Sequence, residues 1–263
     1  MGRRILFIVE GNREIELLNK ICERMNKEYD IVSIRDNIYV LYNKLKGLDF
    51  SSEIVDSLRE MNLSQEDREK LNNKFVSYYL LFDCDLHHRE EFEKELPYDS
   101  VVNNNLLKLD KMASFFNNDT DPFKGKLFLN YPMVESYRDA DFFFDEKYMF
   151  KSIAIDKSST YKQDTGKTRI ANIRIDTLKT SQIDDLTKMN IFKLNTIFEK
   201  VYVPSSLKNF RFYLDNLYSI QKEKIIKEKN MWVINSTFFI PIDYFGEKYY
   251  RLDFFVENTE LKE

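Results

Sequence analysis

The sequence predicts an α/β fold in which a mainly parallel sheet carries helices on both faces. Three short apolar runs, at residues 4–9, 75–82 and 126–130, are typical of strands that are buried on both sides. Amphipathic, helix-forming stretches separate these runs along the chain. Strands that alternate with helices favour parallel pairing, because a parallel crossover needs a connection about the length of a helix.

The first elements follow a strand, turn and helix pattern. The strand at 4–9 ends in a glycine turn, and Asn12 is predicted to cap the helix that follows. Apolar residues spaced three and four apart give that helix one buried face. A second strand is predicted at 30–34 and a short helix at 37–46. Together these elements predict a first βαβ unit.

The middle of the first 150 residues is longer than a compact crossover needs. Residues 49–73 are polar and helix-prone and are predicted to be an insertion, with Ser64 and Asp67 forming a capping box. After the strand at 75–82, helices are predicted at 87–95 and 100–117. We therefore expect one α/β domain over residues 1–150.

The pattern changes in the remainder of the chain, where residues 151–263 are predicted to form a C-terminal α+β extension. Residues 182–200 and 206–228 carry matched apolar stripes and predict a helical hairpin. Residues 236–256 predict two strands, with Gly246 in the turn between them.

Composition excludes several classes of protein. The chain has 263 residues, of which 43% are hydrophobic and 15% aromatic, so a large core is available. Its two cysteines, Cys22 and Cys84, are too far apart in sequence for a zinc motif or a disulfide framework. No apolar stretch is long enough to span a bilayer or to form a signal peptide. We expect a cytoplasmic protein with no membrane partner.

Charge is unevenly distributed along the chain, although the net charge is only −4. Residues 1–150 contain 21 basic and 29 acidic side chains, whereas residues 151–200 contain 10 basic and 6 acidic ones. An acidic part followed by a basic segment suits a metal site beside a phosphate-binding surface. Chance clustering on solvated faces explains the same counts.

Carboxylates follow two of the predicted strands. Glu10 and Gly11 end the first strand, Asp83 and Asp85 end the strand at 75–82, and Glu14 lies in the first turn of the first helix. The carboxyl ends of parallel strands meet at one edge of a sheet, so these acids are expected to lie close together. Clustered carboxylates repel unless a cation lies between them, and oxygen ligands favour Mg²⁺ or Mn²⁺.

These acids stand in the stretches "FIVEGNREIELL" and "LLFDCDLHH", which resemble the TOPRIM domain, a Rossmann-like catalytic fold of topoisomerases, primases and nucleases. The Glu-Gly-x-x-Glu form is most similar to the overcoming-lysogenization-defect nucleases, the RloB-like proteins and the TOPRIM effector of the PARIS anti-phage system. In that branch "NYPMVESY", residues 130–137, is similar to a Pro-x-x-Glu stretch. The resemblance covers about residues 3–150.

The resemblance implies a metal-dependent endonuclease that cleaves DNA or tRNA, as an effector of phage defence. Asp83 and Asp85 would hold Mg²⁺ or Mn²⁺ with Glu10, Glu14 and Glu135. Any ATPase would have to be a separate partner protein, because this chain has no room for an ATPase domain. A homo-oligomer also fits the resemblance.

Further polar residues are candidates for contacts with phosphate. His87 and His88 directly follow Asp85 and would carry a proton or contact a phosphate, or would simply be polar residues before a helix. The basic candidates lie in the segment 151–180, for which no secondary structure is predicted: Lys162, Lys167, Arg169 and Arg174. Each of the four is equally explained as a solvated side chain.

Two alternative functions fit the same residues. One is a non-catalytic, TOPRIM-like subunit that binds a partner ATPase or nucleic acid. The other is a different metal-dependent phosphotransfer enzyme on the same kind of sheet, which is favoured if the strands that end in Glu10 and Asp83 are not neighbours.

Overall fold

The computed structural model describes most of the chain, and it defines a parallel sheet, a small antiparallel sheet and the helices around them. The described residues are 4–51, 53–117, 124–140, 142, 145–168, 170–200, 207 and 209–246. The strands are β1 (Arg4–Val9), β2 (Tyr29–Ser33), β3 (Phe75–Asp83), β4 (Lys126–Asn130), β5 (Ser152–Ala154) and β6 (Asn230–Trp232). The helices are α1 (Asn12–Met25), α2 (Ile38–Gly47), α3 (Ile54–Arg59), α4 (Gln65–Lys70), α5 (Tyr98–Phe116), α6 (Glu146–Met149), α7 (Tyr161–Thr165), α8 (Thr180–Glu199), α9 (Phe210–Glu228) and α10 (Ile240–Phe245).

The main sheet has four parallel strands in the order β2-β1-β3-β4. This confirms the predicted α/β class with a parallel sheet flanked by helices. By the right-handed crossover rule for parallel strands, α1 is expected on one face and α2 to α5 on the other, because β2 and β3 lie on opposite sides of β1. The strand order therefore reverses between β1 and β3, which is where open α/β sheets bind their ligands.

Burial explains why the central strands form where the apolar runs predict them. Every residue from Ile5 to Val9 in β1 is fully buried. Phe7 stacks on Tyr79 of β3 with ring centroids 5.7 Å apart. Strands covered on both faces need such continuous apolar runs, and burying each large side chain contributes about 1.5–3 kcal/mol.

The C-terminal part of the chain packs directly on the parallel sheet and its helices. Helix α8 packs against α1, and the first residues of α9 meet the end of α8, where Phe198 stacks on Tyr213 at 4.5 Å. Strands β5 and β6 form a separate antiparallel pair. A bridge between Tyr131 and Ile234 joins the turn after β4 to the segment after β6. The predicted domain boundary near residue 150 stays a prediction.

No helix among the described residues is long and apolar enough to cross a membrane. The longest, α8, has 20 residues and mixes polar with apolar side chains throughout. Residues 49–73 form the two short helices α3 and α4. Ser64 caps α4 by accepting a hydrogen bond from the amide of Asp67 at 3.1 Å, as its spacing predicts.

Three local predictions are wrong. Residues 87–95 do not form an α-helix but wrap around Arg89, whose guanidinium donates to the carbonyls of Glu93, Lys94 and Leu96. Only one 3₁₀ turn, Glu91–Glu93, is regular there. The guanidinium thus satisfies three carbonyls at the end of this segment, just before Pro97, whose nitrogen has no hydrogen to donate.

The predicted strand at the start of 236–256 is also wrong. Residues 236–245 are helical, because Asn235 caps the turn by accepting from the amide of Thr237 and Pro241 lies in the first turn of α10. Residues 247–256 lie outside the described residues. The cap of α1 differs too: its N-cap is Gly11, and Asn12 is the first helical residue.

Gly125, just before β4, gives a test of the packing that places this strand. Its φ is +93°, and an added Cβ would lie 2.9 Å from the Cβ of Tyr78. Gly125→Ala is therefore expected to lower the free energy of unfolding by about 1–3 kcal/mol in urea denaturation. Gly47→Ala is the matched control, since nothing lies within 4 Å of the added Cβ. Equal stabilities of the two variants would contradict this account.

Candidate functional site

The candidate site lies at the carboxyl edge of the parallel sheet, between β1 and β3. Val9, the last residue of β1, pairs with Leu81, and β3 continues to Asp83 at the same edge of the sheet. After β1 it enters α1 on one face, and after β3 it continues toward α5 on the other. The two departures open a crevice, and the Oε2 of Glu10 lies 3.5 Å from the amide nitrogen of Asp83 within it. The strands that end in Glu10 and Asp83 are thus neighbours.

Asp83 is held at the centre of this crevice. Its Oδ1 accepts a hydrogen bond of 2.7 Å from the amide of Val134, in the turn that follows β4. Burial raises the pKa of the Asp83 carboxyl well above its usual range, and the negative charges of Glu14, Glu10 and Glu135 raise it further. The negative charges of Glu10, Glu14 and Glu135 therefore all act on the Asp83 carboxyl.

Glu10 shares this environment from the β1 side. Burial raises the pKa of its carboxyl to about 8, and the charges of Glu14, Asp85 and Asp36 act in the same direction. The amide of Asp83 opposes the shift by donating toward the carboxylate. Glu10 is only partly shielded from solvent, so a ligand at the sheet edge has access to it.

Glu14 is folded back under the turn between β1 and α1. Only 4% of it is exposed, and its Oε2 accepts a hydrogen bond of 3.0 Å from the amide of Gly11. Burial raises the pKa of Glu14 to about 7, and the charge of Glu135 adds to this, whereas backbone donors and the ammonium of Lys162 lower it. The predicted role as a further acid at this edge fits its position, and so does its role in satisfying a backbone donor at the helix start.

Asp85 lies two residues beyond Asp83 and turns toward a histidine. The Nδ1 of His87 is 2.5 Å from its Oδ1, and the hydroxyl of Ser158 lies 3.4 Å from the same ring nitrogen. A Ser–His–Asp relay needs the acid and the serine on opposite ring nitrogens, so these three residues do not form one. The Asp85 carboxylate lies against the His87 ring, and its buried Oδ1 accepts no hydrogen bond within the described residues.

His88 points elsewhere. Its ring stacks on Tyr39 at 5.2 Å, and its Nδ1 lies 3.1 Å from the side-chain amide of Asn37. These contacts give His88 a packing role between β2 and α2. Of the two histidines, only His87 therefore belongs to the acidic edge.

Glu135 completes the cluster from the turn after β4. It is 1% exposed, and its Oε1 lies 2.7 Å from the ammonium of Lys162. The negative charge of Glu135 raises the pKa values of Glu14 and Asp83, so it lies within electrostatic reach of both. Five acids are thus grouped at one sheet edge: Glu10 and Glu14 after β1, Asp83 at the end of β3 with Asp85 just beyond it, and Glu135 after β4.

The basic residues come from a segment that crosses this edge, residues 155–179, which we call the basic strap. Lys162 reaches the acids, and Lys167 is exposed and forms no ion pair within the described part of the chain. Arg174 is exposed and pairs with Asp176 at 2.5 Å. Arg169 lies outside the described residues.

The residues that hold the strap in place were not predicted from the sequence. Tyr161 donates a hydrogen bond to the buried carboxylate of Asp139, which also pairs with Lys151 at 2.8 Å. The signal was present in the segment left unassigned, because Ile155, Ser158, Tyr161 and Thr165 are buried at spacings of three and four. Such spacing is typical of helical turns that pack one face on a core.

The donor set suits a hard divalent cation by its chemistry, because all of its charged members are carboxylates. The side chains are not arranged as shared ligands, however. Among the described residues, no three acidic, histidine or cysteine side chains are placed to hold one ion. Asp83 and Glu14 accept hydrogen bonds from backbone amides, those of Val134 and Gly11, respectively. Asp85 and Glu135 lie beside His87 and Lys162, but their buried Oδ1 and Oε1 atoms accept no hydrogen bond within the described residues. The acids share one crevice, but their oxygens would have to turn to bind a common ion.

Comparison with known proteins adds no relative to this description. The chain matches no protein-family model, no curated protein and no solved structure. What can be argued about its function therefore depends on the geometry and charge of the sheet edge.

Proposed function

We propose that this protein is a TOPRIM endonuclease that uses Mg²⁺ or Mn²⁺ to cleave phosphodiester bonds of DNA or tRNA. One observation carries the proposal: Glu10 and Asp83 leave adjacent parallel strands at the switch point of the sheet, with Glu14 and Glu135 beside them. Ligands of open α/β sheets bind at that point. A role as an effector of phage defence, with a separate ATPase as partner, is part of the proposal and comes from the motif resemblance.

The acids have distinct roles in this proposal. Asp83 and Asp85 would hold the metal, with Glu10 and Glu14 completing one or two sites. The bound metal would polarise the scissile phosphate and activate water. Glu10 alternatively serves as general base, because its carboxylate lies at the sheet edge beside Asp83 and is partly accessible to solvent.

The basic strap supplies the opposite charge. Its exposed cations Lys157, Lys167 and Lys179 form no ion pairs within the described residues, so they are available to phosphates. The strap is positioned by Ser158 at His87 and by Tyr161 at Asp139, and it lies beside the acids. A nucleic-acid backbone that follows the strap would pass the acidic edge.

Salt dependence tests this path. Lys157→Gln and Lys167→Gln are each expected to lower the slope of log affinity against log salt by about 1, because each removes one phosphate contact. Fluorescence anisotropy with labelled DNA and tRNA in Ca²⁺ measures the slopes. Lys46→Gln, at the end of α2 away from the carboxyl edge, is the control. Slopes that fall equally in all three variants would contradict the strap as the binding path.

Cleavage itself is tested with purified protein on supercoiled DNA and on total tRNA, in Mg²⁺, Mn²⁺ and EDTA. We expect fragments in one of the two metals and none in EDTA. The substrate that is cut decides between DNA and tRNA. Intact DNA and tRNA in every condition, with the products of the neighbouring genes also present, would overturn the proposal.

A non-catalytic, TOPRIM-like subunit is the second candidate. The observation that favours it is that Asp83 and Glu14 already accept hydrogen bonds from backbone amides, and that no three ligands in the described chain are placed around one ion. In cells expressing the wild type or Asp83→Ala/Asp85→Ala, together with the neighbouring genes and under phage challenge, this candidate predicts identical survival and identical nucleic-acid integrity. The nuclease predicts fragments only with the wild type.

A further inference from the structure

Lys162 brings a positive charge into the acid cluster. Its ammonium lies 2.7 Å from the Oε1 of Glu135 but does not meet hydrogen-bond geometry there, so the contact is electrostatic. The same charge also acts on Glu14. Glu135 is 1% exposed, and a buried carboxylate without a counter-charge is costly. The lysine therefore supplies the counter-charge for an acid that the protein cannot leave unpaired.

The backbone of Lys162 is held in place by its neighbours, whereas its ammonium group can move. Helix α7 is fixed by the neighbouring Tyr161, which donates to the buried Asp139. The side chain of Lys162 itself is 60% exposed. A four-carbon stem with a compact ammonium can move away from Glu135 without any change in α7. The arrangement is a fixed helix that holds a movable charge over the cluster.

We propose that Lys162 is an internal counter-cation, which occupies the acid cluster in the metal-free protein and competes with the divalent cation for it. This inference rests on the proposed function, because it assumes that the acids bind a metal. Lys162 and a divalent cation neutralise the same carboxylates, so each weakens the binding of the other. The ammonium of Lys162 must leave Glu135 before the metal can bind there. The lysine therefore raises the metal concentration that is needed to fill the site.

Titration with Mn²⁺ tests the competition in the full-length protein. Lys162→Met keeps most of the stem and removes the charge, and it is expected to bind Mn²⁺ about tenfold more tightly than the wild type. Lys162→Arg keeps the charge and should bind Mn²⁺ as the wild type does. Lys167→Met is the matched control on the same strap and should also match the wild type. Isothermal titration calorimetry gives the affinities, and the electron paramagnetic resonance signal of free Mn²⁺ checks them.

A second readout does not depend on metal. In EDTA, Lys162→Met should lower the melting temperature relative to Lys167→Met, because Glu135 loses its counter-charge. Unchanged or weaker Mn²⁺ binding by Lys162→Met, with a wild type that binds, would overturn the inference alone. If no variant binds Mn²⁺, the proposed metal site fails and the competition fails with it. Equal melting temperatures of the two variants in EDTA would refute the counter-cation role.

Discussion

Asp83→Asn is expected to lower the rate of phosphodiester cleavage by about 10³-fold or more, the scale of losing a central electrostatic group in an active site. The charges of Glu10, Glu14 and Glu135 all act on the Asp83 carboxyl. The substitution therefore removes the central carboxylate among the proposed metal ligands. Asparagine keeps the oxygen that accepts from the amide of Val134. The fold should therefore survive the change, and the loss should appear in catalysis and in Mn²⁺ affinity.

Asp30→Asn is the control for this variant. Asp30 lies in the same sheet but near the start of β2, at the edge opposite the crevice, where it pairs with Arg4 at 3.0 Å. We expect its cleavage rate to equal that of the wild type. Initial rates at saturating metal, with circular dichroism to verify folding, measure both variants. Cleavage by folded Asp83→Asn at the wild-type rate would remove the acid cluster from the reaction.

The position of the acids could be predicted from the sequence because strand ends and parallel pairing are coarse features. Apolar runs that stop at Glu10 and at Asp83 place both residues at one edge, whatever the strand order. Their adjacency needed the observed order, in which β1 and β3 are neighbours. Glu135 was reached only through motif resemblance, because nothing in its local sequence shows that it is buried.

Side-chain partners could not be predicted, because they depend on contacts between distant segments. The pairing of Lys162 with Glu135 joins α7 to the turn after β4, and sequence patterns carry no signal for such a pair. The loop at 87–95 differs from the predicted helix for a related reason. Arg89 donates to three backbone carbonyls between Glu93 and Leu96, and the local apolar pattern carries no signal for such contacts.

The stability of the metal-free protein is expected to fall as the pH rises from about 5 to about 8.5, because the crowded acids ionise. Burial raises the pKa of Glu10 to about 8 and that of Glu14 to about 7 in the folded state, from 4.5. The folded protein then binds more protons than the unfolded chain between these values, so the free energy of unfolding decreases with pH. The contribution is fully present below about pH 4.5 and is lost as the pH passes through the folded pKa values.

Glu10→Gln isolates this effect, because glutamine cannot ionise. In EDTA we expect the variant to melt about 5 °C or more above the wild type at pH 8.5 and at the same temperature at pH 5. Glu16→Gln, an exposed acid of α1 that pairs with Arg13, should show no such pH-dependent gap. Differential scanning calorimetry measures all three proteins. If the melting temperatures of Glu10→Gln and the wild type differed by the same amount at both pH values, ionisation of Glu10 would not be what destabilises the folded protein.

Divalent cations should restore the stability that the wild-type protein loses at high pH. At pH 8.5, Mn²⁺ at 100 times its dissociation constant would stabilise the folded state by about 2.7 kcal/mol, because it binds the ionised acids of the folded chain. The same addition should do little for Glu10→Gln, which lacks one of the proposed ligands. The two results together distinguish a metal site from a structural acid cluster. Glu10→Gln would stabilise a structural cluster, but Mn²⁺ would not. A metal site would be stabilised by either change alone.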